Sequence, residues 1–529
     1  MQTNLAKKYF EDKYPLIKLF SYEYGKYLIY DARMGFSFII EDSEISLLID
    51  YLEGKLNEGE LSDKDRKNLQ VFETLKNNQI LISGDNRKIS PESINDLSNL
   101  LSDWNRNIAI LRFCLEVTEE CSLRCTYCRN TYSATGRKHS FNRMNEEIAF
   151  RSLDFYFKRY TEILNRVPQE KRDKFLKLSP PAISWYGGEP FMNFNLIRSS
   201  LNYLKKLPWE RYGINIADAA FVTTSNFTVV NDDIIEWLIE NNIRLAISID
   251  GDRTEHNKNR VFKNGVGSFD IIYKNIEKLF SRSRAYFMKN VTLNAVMAEN
   301  VDYDKAKLFF ENDPLLSLVR VTWLPVGYDG VMINRSEISS EQSLRITNER
   351  NKKIIDEIIE EDRESGMYNY ILDRYGDLTN RFTPGSLIPE NYSYGLFCCP
   401  IGYGNIMTDV YGRFHMCNKT DGTSPVGDYN SGIKDELVIE TLKRLNSSVN
   451  DNCRECWAYR FCSYCSAQRL IDGHFLNPEK NECSFFREVM YFKLDEYIYM
   501  LKTKPHLAGN IKEDYNKTTH PGIVDIRKI

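Results

Sequence analysis

The sequence lacks any run of about 18 uncharged apolar residues, the minimum that a helix needs to cross a bilayer. Residues 1–20 also lack an apolar signal core followed by small residues. Both absences argue against membrane insertion and secretion. We therefore expect a cytoplasmic protein without a membrane partner.

A strong net charge is also absent. The chain carries 70 basic and 74 acidic residues, which gives a formal net charge of −4. A protein that binds nucleic acid or an anionic membrane through its overall field needs a clear excess of basic residues. We therefore expect no nucleic-acid partner, and any partner must be recognised by local features.

The composition is that of a globular protein. Hydrophobic residues make up 42% of the 529 residues, aromatic residues 13% and charged residues 27%. No internal repeat of the solenoid type occurs. This length suggests two to four domains.

The N-terminal residues predict a small module. Residues 15–40 contain short runs rich in Tyr, Phe and Ile that glycines interrupt, which indicates two or three β-strands. SEISLLIDYLEGKL and DKDRKNLQVFETLKNNQIL then repeat apolar residues at helical spacing. We interpret residues 1–85 as a winged-helix-like unit, and residues 86–107 as a polar linker.

Strand-like and helical stretches alternate between residues 108 and 330, which predicts an α/β fold with a parallel sheet or barrel. The six predicted strands are ILRFCLEV, AISWYGG, AFVTTSN, RLAISIDG, VTLNAVM and VRVTWLPV. Functional groups in such a fold collect at the C-terminal ends of the strands. The remaining chain is predicted to comprise a helical bridge at 331–397, a cysteine-rich segment at 398–485, and a helix with a loose polar tail at 486–529. We expect the cysteine-rich segment to lack a core of its own and to need metal for its stability.

Twelve cysteines are present, and their clustering in a reducing compartment indicates metal or redox chemistry rather than disulfides. Cys114 stands alone in a predicted strand, where packing explains it. Cys121, Cys125 and Cys128 follow that strand at x3 and x2 spacing. The other eight are Cys398, Cys399, Cys417, Cys453, Cys456, Cys462, Cys465 and Cys483.

Three thiolates leave one iron of a four-iron cube open, whereas four would close a tetrahedral site. This loop, with Tyr127 before its last cysteine, resembles the radical S-adenosylmethionine (SAM) superfamily. The resemblance implies a [4Fe–4S] cluster on Cys121, Cys125 and Cys128, with SAM bound at the open iron and cleaved to a 5′-deoxyadenosyl radical. A zinc knuckle or chance spacing is the alternative.

Later strand ends extend this resemblance. In WYGGEPFMN, Gly187 and Gly188 would let the backbone approach a ligand closely, and Glu189 would accept hydrogen bonds from the ammonium of SAM. The motifs TTSN, SIDG and HNKNR follow in order, and together they resemble the radical SAM subgroup that carries a SPASM domain.

That resemblance assigns the remaining SAM contacts. Ser248 and Arg260 are expected to bind the SAM carboxylate, and Asn226 or Asp250 is expected to face the ribose. Each of these residues alone is more often a turn former or a surface charge.

A SPASM domain implies two auxiliary [4Fe–4S] clusters. By resemblance, one would be held by Cys453, Cys456, Cys462 and Cys483, and the other by Cys399, Cys417 and Cys465. Cys398 either completes the second cluster or is an unrelated neighbour, because adjacent residues in an extended chain point apart. The x2 spacing before Cys465 departs from the x3 of the family, and a pair of zinc sites is the alternative.

The N-terminal module resembles a recognition element of enzymes that act on ribosomally synthesised and post-translationally modified peptides (RiPPs). Such a unit binds the leader of a precursor peptide by β-augmentation. A plain extension packed on the barrel is the alternative. The family also implies an external one-electron reductant such as flavodoxin or ferredoxin.

We therefore predict an enzyme that crosslinks a precursor peptide, through a thioether or another bond. Formylglycine formation is the second hypothesis. It ranks below crosslinking because in sulfatase-maturing enzymes an Asp directly follows the equivalent of Cys417, whereas this sequence has Asn418 there. Asparagine cannot accept a proton as a carboxylate does. A third hypothesis is a non-enzymatic iron–sulfur or zinc scaffold that binds a peptide.

Overall fold

The structure is a computed structural model of the 529-residue chain. It describes residues 2–14, 16–32, 35–56, 61–78, 80–81, 94–110, 112–128, 130, 138–298, 300–325, 341–358, 366–381, 401–448, 456–462, 467, 470–476, 480–518 and 526. Four of the predicted metal ligands lie outside these residues, namely Cys398, Cys399, Cys453 and Cys465.

The N-terminal unit is a three-stranded antiparallel sheet with three helices. Its elements are α1 (Gln2–Lys13), β1 (Ile17–Glu23), β2 (Lys26–Asp31), β3 (Phe36–Glu41), α2 (Asp42–Glu53) and α3 (Asp63–Asn77). The predicted order of strands followed by helices is confirmed. We did not predict α1, although Ala6 and Phe10, four residues apart, bury one of its faces.

Short-range signals define the second half of this unit. Gly54 ends α2 in the left-handed conformation, with φ at 67°, which glycine adopts without strain. Ser62 caps α3, because its side chain accepts the backbone N–H of Asp65 while the Asp65 carboxylate accepts the N–H of Ser62.

Six parallel strands form the centre of the molecule. They are β4 (Arg112–Thr118), β5 (Ala182–Gly187), β6 (Ala220–Ser225), β7 (Arg244–Ser248), β8 (Val291–Met297) and β9 (Val321–Pro325). They pair in chain order, so the predicted α/β fold and all six predicted strands are confirmed. β4 is buried along nearly its whole length, as a parallel strand covered on both faces should be.

Helices precede and connect these strands. They are α4 (Ile94–Asn107), α5 (Glu146–Arg166), α6 (Arg172–Leu178), α7 (Phe194–Lys206), α8 (Asp232–Glu240), α9 (Arg253–Asn257), α10 (Phe269–Arg282), α11 (Arg284–Asn290) and α12 (Tyr303–Asn312). α4 occupies most of the stretch that we expected to be a linker. Leu101 of α4 and the following Ile108 are buried in the core of the barrel, which explains why this stretch is ordered.

The C-terminal third adds five helices and six short strands among the described residues. The helices are α13 (Glu341–Glu357), α14 (Gly366–Arg381), α15 (Asp435–Ser447), α16 (Lys480–Thr503) and α17 (Pro505–Thr518). The strands are β10 (Asn405–Thr408), β11 (Arg413–His415), β12 (Gly427–Asp428), β13 (Gly432–Ile433), β14 (Leu470–Ile471) and β15 (His474–Phe475). The polar tail that we expected is in part helical, because Leu507 and Ile511 bury one side of α17.

The central sheet is larger than the sequence predicted. β10 pairs in parallel with β4, on the side opposite β5, and β11, β12 and β13 continue the sheet in antiparallel fashion to ten strands. Ile406, Phe414, Val426 and Leu442 join the barrel core. The segment thus shares the core of the barrel, a contact that the sequence did not predict, and its need for metal stays a prediction.

Both faces of the N-terminal sheet are covered. α1, α2 and α3 pack on one face. On the other face, Phe20 stacks on Tyr491 of α16, with ring centroids 5.0 Å apart, and also meets Trp457. The N-terminal unit and the C-terminal helices thus share a core.

No helix in the described ranges is both long enough and apolar enough to cross a membrane.

Candidate functional site

The three-cysteine loop begins where β4 ends. Thr118, the last residue of β4, accepts the backbone N–H of Glu120 on its hydroxyl oxygen at 3.1 Å, which turns the chain into the loop. Cys121, Cys125 and Cys128 follow, and all three are half-buried. The loop therefore lies at the C-terminal edge of the parallel sheet, where the sequence predicted it.

Backbone hydrogen bonds fasten this loop to the segment after α9. The N–H of Arg124 donates to the carbonyl of Val261 at 2.8 Å, and the N–H of Thr126 donates to that of Asn259 at 3.1 Å. The Thr126 hydroxyl also donates to the side-chain oxygen of Asn259, at 2.5 Å. The position of the cysteines thus depends on a segment more than 130 residues further along the chain.

A buried carboxylate, Asp250, binds both the cysteine loop and the segment after α9. Asp250 has no exposed surface, and it accepts the hydroxyl of Tyr127 at 2.5 Å and the backbone N–H of Val296 at 2.8 Å. Arg260 Nη2 donates to it at 3.0 Å, and Nε lies 2.9 Å from the other carboxylate oxygen without the alignment of a hydrogen bond. Burial raises the pKa of Tyr127 well above its usual value, so the phenol remains a neutral donor.

Two of the predicted SAM ligands, Asp250 and Arg260, take part in these contacts. Both oxygens of Asp250 are engaged by protein groups, and Arg260, which is 6% exposed, is paired with Asp250. The contacts give both residues a part in fastening the cysteine loop, and their predicted contacts with SAM stay predictions.

His256 links Asp250 and Arg260 through hydrogen bonds. Its Nδ1 accepts the backbone N–H of Asp250 at 3.3 Å, so Nε2 carries the proton and donates to Ser268 Oγ at 2.9 Å. Ser268 in turn donates to the carbonyl of Arg260 at 2.9 Å. Burial, and secondarily the charge of Arg260, lowers the pKa of His256 to about 3.

Gly187 and Gly188 lie against protein backbone. A Cβ at Gly188 would lie 2.3 Å from the carbonyl oxygen of Glu120, and one at Gly187 would lie 2.2 Å from that of Thr118. The N–H of Gly188 donates to the Thr118 carbonyl at 2.9 Å. The close approach predicted for these glycines is therefore made to the start of the cysteine loop, so that two strand ends meet there.

Glu189 is fully buried beside this junction. Its carboxylate accepts the Ser225 hydroxyl at 2.8 Å and the backbone N–H groups of Asn226 at 2.7 Å and Phe191 at 3.2 Å. Burial raises its pKa to about 7, and the three hydrogen bonds oppose that shift. Its bonds to Ser225 and Asn226 link the end of β5 to the end of β6.

The side chain of Asn226, a predicted SAM contact, reaches the cysteine loop directly. Its side-chain N–H₂ lies 3.5 Å from Cys121 Sγ and donates to Ser122 Oγ at 3.1 Å. Ser248 ends β7 next to Asn294 of β8 and is half-buried. Both residues lie on the same edge of the sheet as the loop.

The thiols of the loop form a donor set that suits a cluster. Burial raises the pKa of Cys121 and of Cys125 to about 12, and the nearby thiols add to both shifts. A bound cation would reverse these shifts, because metals stabilise thiolates. In the part of the chain that the structure describes, no three His, Cys, Asp or Glu side chains converge on one metal ion. A cube takes each thiolate on a separate iron, so the three loop cysteines fit three of its corners.

The described members of the second cysteine group fall in two places. Cys417 packs against the barrel core, whereas Cys456 packs against the core shared by the N-terminal sheet and the C-terminal helices. Cys462 and Cys483 are half-buried. None of the eight described cysteines forms a disulfide.

Sequence reasoning missed the polar contacts between the β10–β11 hairpin and the entrance of the loop. Tyr411 accepts the side-chain N–H₂ of Asn142 at 2.7 Å and lies 3.4 Å from Glu119, the residue after β4. Within the hairpin, buried Asp409 pairs with His415 at 2.9 Å and with Arg413 at 2.7 Å. No spacing in the sequence indicates that residues 119 and 411 are neighbours.

Residues 115–308 match the Radical SAM superfamily. A cysteine-type anaerobic sulfatase-maturating enzyme from Clostridium novyi (strain NT) is 27% identical over 187 residues, which cover 35% of this chain and 44% of the relative. An uncharacterised protein from Methanocaldococcus jannaschii is 28% identical over 141 residues, 26% of this chain and 37% of the relative. The chain thus spans less than half the length of these curated relatives.

Two solved structures also align with this chain. The structure of anSMEcpe with bound AdoMet and Cp18Cys peptide has a TM-score of 0.48 at 15% identity, with 76% of this chain and 99% of that chain covered. Streptococcus suis SuiB bound to precursor peptide SuiA has a TM-score of 0.44 at 15% identity, with 88% and 98% covered. The match of residues 115–308 to the Radical SAM superfamily contains the three loop cysteines and every strand-end residue described above.

Proposed function

We propose that the protein is a radical SAM enzyme that modifies a ribosomally synthesised precursor peptide, by a thioether or another crosslink to a side chain or the backbone. The observation that carries the proposal is the loop of three thiols at the C-terminal edge of the parallel sheet. A [4Fe–4S] cluster and SAM, when bound, supply a 5′-deoxyadenosyl radical that removes a hydrogen atom from the substrate. An external one-electron reductant such as flavodoxin or ferredoxin is part of this proposal.

The chain provides the SAM contacts from its strand ends. Asn226 lies beside Cys121, and Ser248 ends the next strand, so we assign these two residues to SAM ahead of Asp250 and Arg260. Glu189 fixes the backbone of Asn226 through a 2.7 Å hydrogen bond. Tyr127, Gly187 and Gly188 hold the cysteine loop in place beside these contacts.

The N-terminal sheet supports a peptide substrate. β3 pairs with β2 on one side, and no strand in the described chain pairs with its other side. Ile39 of β3 is 46% exposed, and Phe36 stacks on Phe38. An extended peptide adds to such an edge through main-chain hydrogen bonds. β1 instead packs against α16, so we propose β3 as the edge that binds the leader.

The second cysteine group supports auxiliary clusters. We propose one on Cys453, Cys456, Cys462 and Cys483, and one on Cys399, Cys417 and Cys465, with Cys398 nearby. The described members Cys417 and Cys456 pack in different cores, which suits two separate clusters. Anaerobic reconstitution should then give about 12 iron atoms per chain, three clusters of four. About 4 iron atoms together with bound zinc would exclude the auxiliary clusters.

The first test separates catalysis from leader binding in the full-length, anaerobically reconstituted protein. Ile39→Lys should weaken the binding of a labelled leader peptide by roughly tenfold, because a charge replaces an apolar contact at the edge, and leave SAM cleavage unchanged. Leu308→Lys is the control, since Leu308 is 58% exposed on α12 of the barrel. Fluorescence anisotropy measures binding, and chromatography measures 5′-deoxyadenosine.

Three outcomes would contradict parts of the proposal. A protein that forms no 5′-deoxyadenosine with dithionite and SAM is a scaffold and not an enzyme. Equal leader binding by wild type and Ile39→Lys would exclude β3 as the leader site. SAM cleavage with no leader binding at about 100 μM would remove the argument for a RiPP substrate.

Formylglycine formation is the second candidate, and the similarity to a sulfatase-maturating enzyme favours it. Asn418 argues against it, as do the two buried carboxylates that flank Cys417 in the sequence, because both already bind protein groups. Asp409 is paired with His415 and Arg413, and Asp421 accepts hydrogen bonds from Thr423. An aldehyde detected by mass spectrometry on a cysteine-containing sulfatase peptide would favour this candidate over crosslinking.

A further inference from the structure

A cavity of about 720 Å³ lies outside the barrel, between α5 and the turn that connects β12 and β13. The start of α15 closes one end. The cavity is lined by none of the cysteines and none of the strand-end residues of the candidate site. Its volume is within the range of small-molecule sites, roughly 300 to 1,000 Å³.

A buried guanidinium lines this cavity. Arg159 of α5 is 7% exposed, and its Nη2 has no hydrogen-bond partner within the described chain. The Arg159 guanidinium lies 5.6 Å from the ring centroid of Tyr403, and the Tyr403 hydroxyl donates to Asp435 at 2.8 Å. Contact with an aromatic face offsets only part of the loss of hydration that a buried cation suffers.

The acidic groups of the cavity compensate the charge of Arg159 only in part. Asp154, Glu162, Asp435 and Glu436 line it, but all four are exposed, so water solvates them at the rim. No acidic side chain in the described chain forms an ion pair with Arg159. The interior therefore holds a positive charge without an ion-pair partner in the described chain, which a buried site tolerates poorly unless an anion joins it.

We propose that this cavity binds an organic carboxylate, whose charged group pairs with Arg159. The planar guanidinium matches a carboxylate with two parallel N–H···O bonds. Half-buried Phe155 and Tyr429 give the body of the ligand an aromatic surface, and Arg151 covers the Tyr429 ring at 5.0 Å. The aromatic walls favour a carboxylate with an apolar body over free phosphate.

Calorimetry on the full-length reconstituted protein tests this site with benzoate, neutral benzamide and inorganic phosphate as probes. Benzoate should bind and raise the melting temperature, benzamide should do neither, and phosphate should bind more weakly than benzoate. Arg159→Met should raise the benzoate Kd by roughly tenfold or more, because the charge-assisted bonds are lost. Arg211→Gln, at an exposed arginine outside the cavity, is the matched control.

The melting temperature of Arg159→Met without benzoate gives a second readout. Arg159→Met removes a buried charge that lacks a counterion, so the variant should melt no lower than wild type even though it no longer responds to benzoate. Equal binding of benzoate and benzamide, binding of phosphate alone, or no binding of benzoate at about 10 mM would each overturn the proposal. The wild-type comparison of benzoate with benzamide requires no variant to fold.

Discussion

Three buried polar side chains connect the cysteine loop to the barrel at the scale of single residues. Asp250 accepts the Tyr127 hydroxyl from the loop and pairs with Arg260. His256 accepts the backbone N–H of Asp250 directly and holds the Arg260 carbonyl through Ser268. Each group has a partner, as buried polar groups in folded proteins generally do. The loop therefore depends on the neutral form of one imidazole.

The protein should lose stability in mild acid through His256. Because the folded-state pKa of about 3 lies below the ordinary 6.5, the unfolded chain binds the proton first, and stability falls as pH decreases below 6.5. Between pH 6.5 and 5 the loss amounts to about 2 kcal/mol. Urea unfolding of wild type and His256→Gln across this range measures it, and the variant should show a smaller decline.

Exposed His474 supplies the control for this titration. His474→Gln should show the same pH profile as wild type. Parallel profiles for wild type and His256→Gln would mean that His256 is not buried in its neutral form.

The sequence identified Asp250 and Arg260 as candidate SAM contacts, but it did not indicate that they pair with each other and with Tyr127. SIDG and NKNR mark a strand end and a charged turn, and they do not specify where each side chain points. That direction follows from the loop of Tyr127 lying across them, a contact between residues 123 positions apart. Residue identity was predictable here, whereas side-chain partners were not.

The ends of β4 and β5 meet at the scale of elements, and glycine makes that contact possible. Gly188→Ala should displace the start of the cysteine loop, because its Cβ would lie 2.3 Å from a backbone oxygen that cannot rotate away. We expect a loss of about 1 to 3 kcal/mol, typical of overpacking, together with a lower iron content after reconstitution. Chemical denaturation and an iron assay measure the two effects.

Gly509→Ala is the matched control, since a Cβ at Gly509 in α17 meets no atom within 4 Å. Replacing this helical glycine by alanine should stabilise the protein by about 0.5 to 1 kcal/mol, whereas Gly188→Ala should destabilise it. If Gly188→Ala retains both stability and iron, the two strand ends are not packed as described.

Elements with local signals were predictable, and those without were not. Six strands of the barrel are apolar runs between helices of regular spacing, so the sequence alone indicates them. β10 has four residues and pairs with β4, about 290 residues earlier in the chain, so neither its period nor its partner is visible locally. For the same reason the sequence does not show that Ile406 and Phe414 pack on the barrel core.

Three hydrophobic cores organise the residues that the structure describes, and one of them joins the N-terminal unit to the C-terminal helices. Phe20 of β1 has no exposed surface and lies between Trp457 and Tyr491. Removal of residues 1–85 would therefore expose the C-terminal helices as well as delete the proposed leader site. This arrangement is the reason for testing leader binding with a substitution on β3 rather than with a truncation.

Phe20→Ala should destabilise the protein by about 3 to 5 kcal/mol, the range for a fully buried aromatic residue. Tyr24, in the turn after β1, is wholly exposed, and Tyr24→Ala should leave stability unchanged. Guanidinium unfolding followed by circular dichroism compares the two. Equal stability of both variants would show that the N-terminal sheet and the C-terminal helices do not share a core.

The same core also determines how long the N-terminal sheet stays partly uncovered during synthesis. Lys7 and Tyr491 form a hydrogen bond across 484 residues, so the cover over the second face of the N-terminal sheet is incomplete until α16 leaves the ribosome. At about 5 to 20 residues per second, that interval lasts roughly 25 to 100 seconds. During that time Phe20 and its neighbours are open to chaperones, which makes the nascent chain, more than the finished protein, the state most exposed to aggregation.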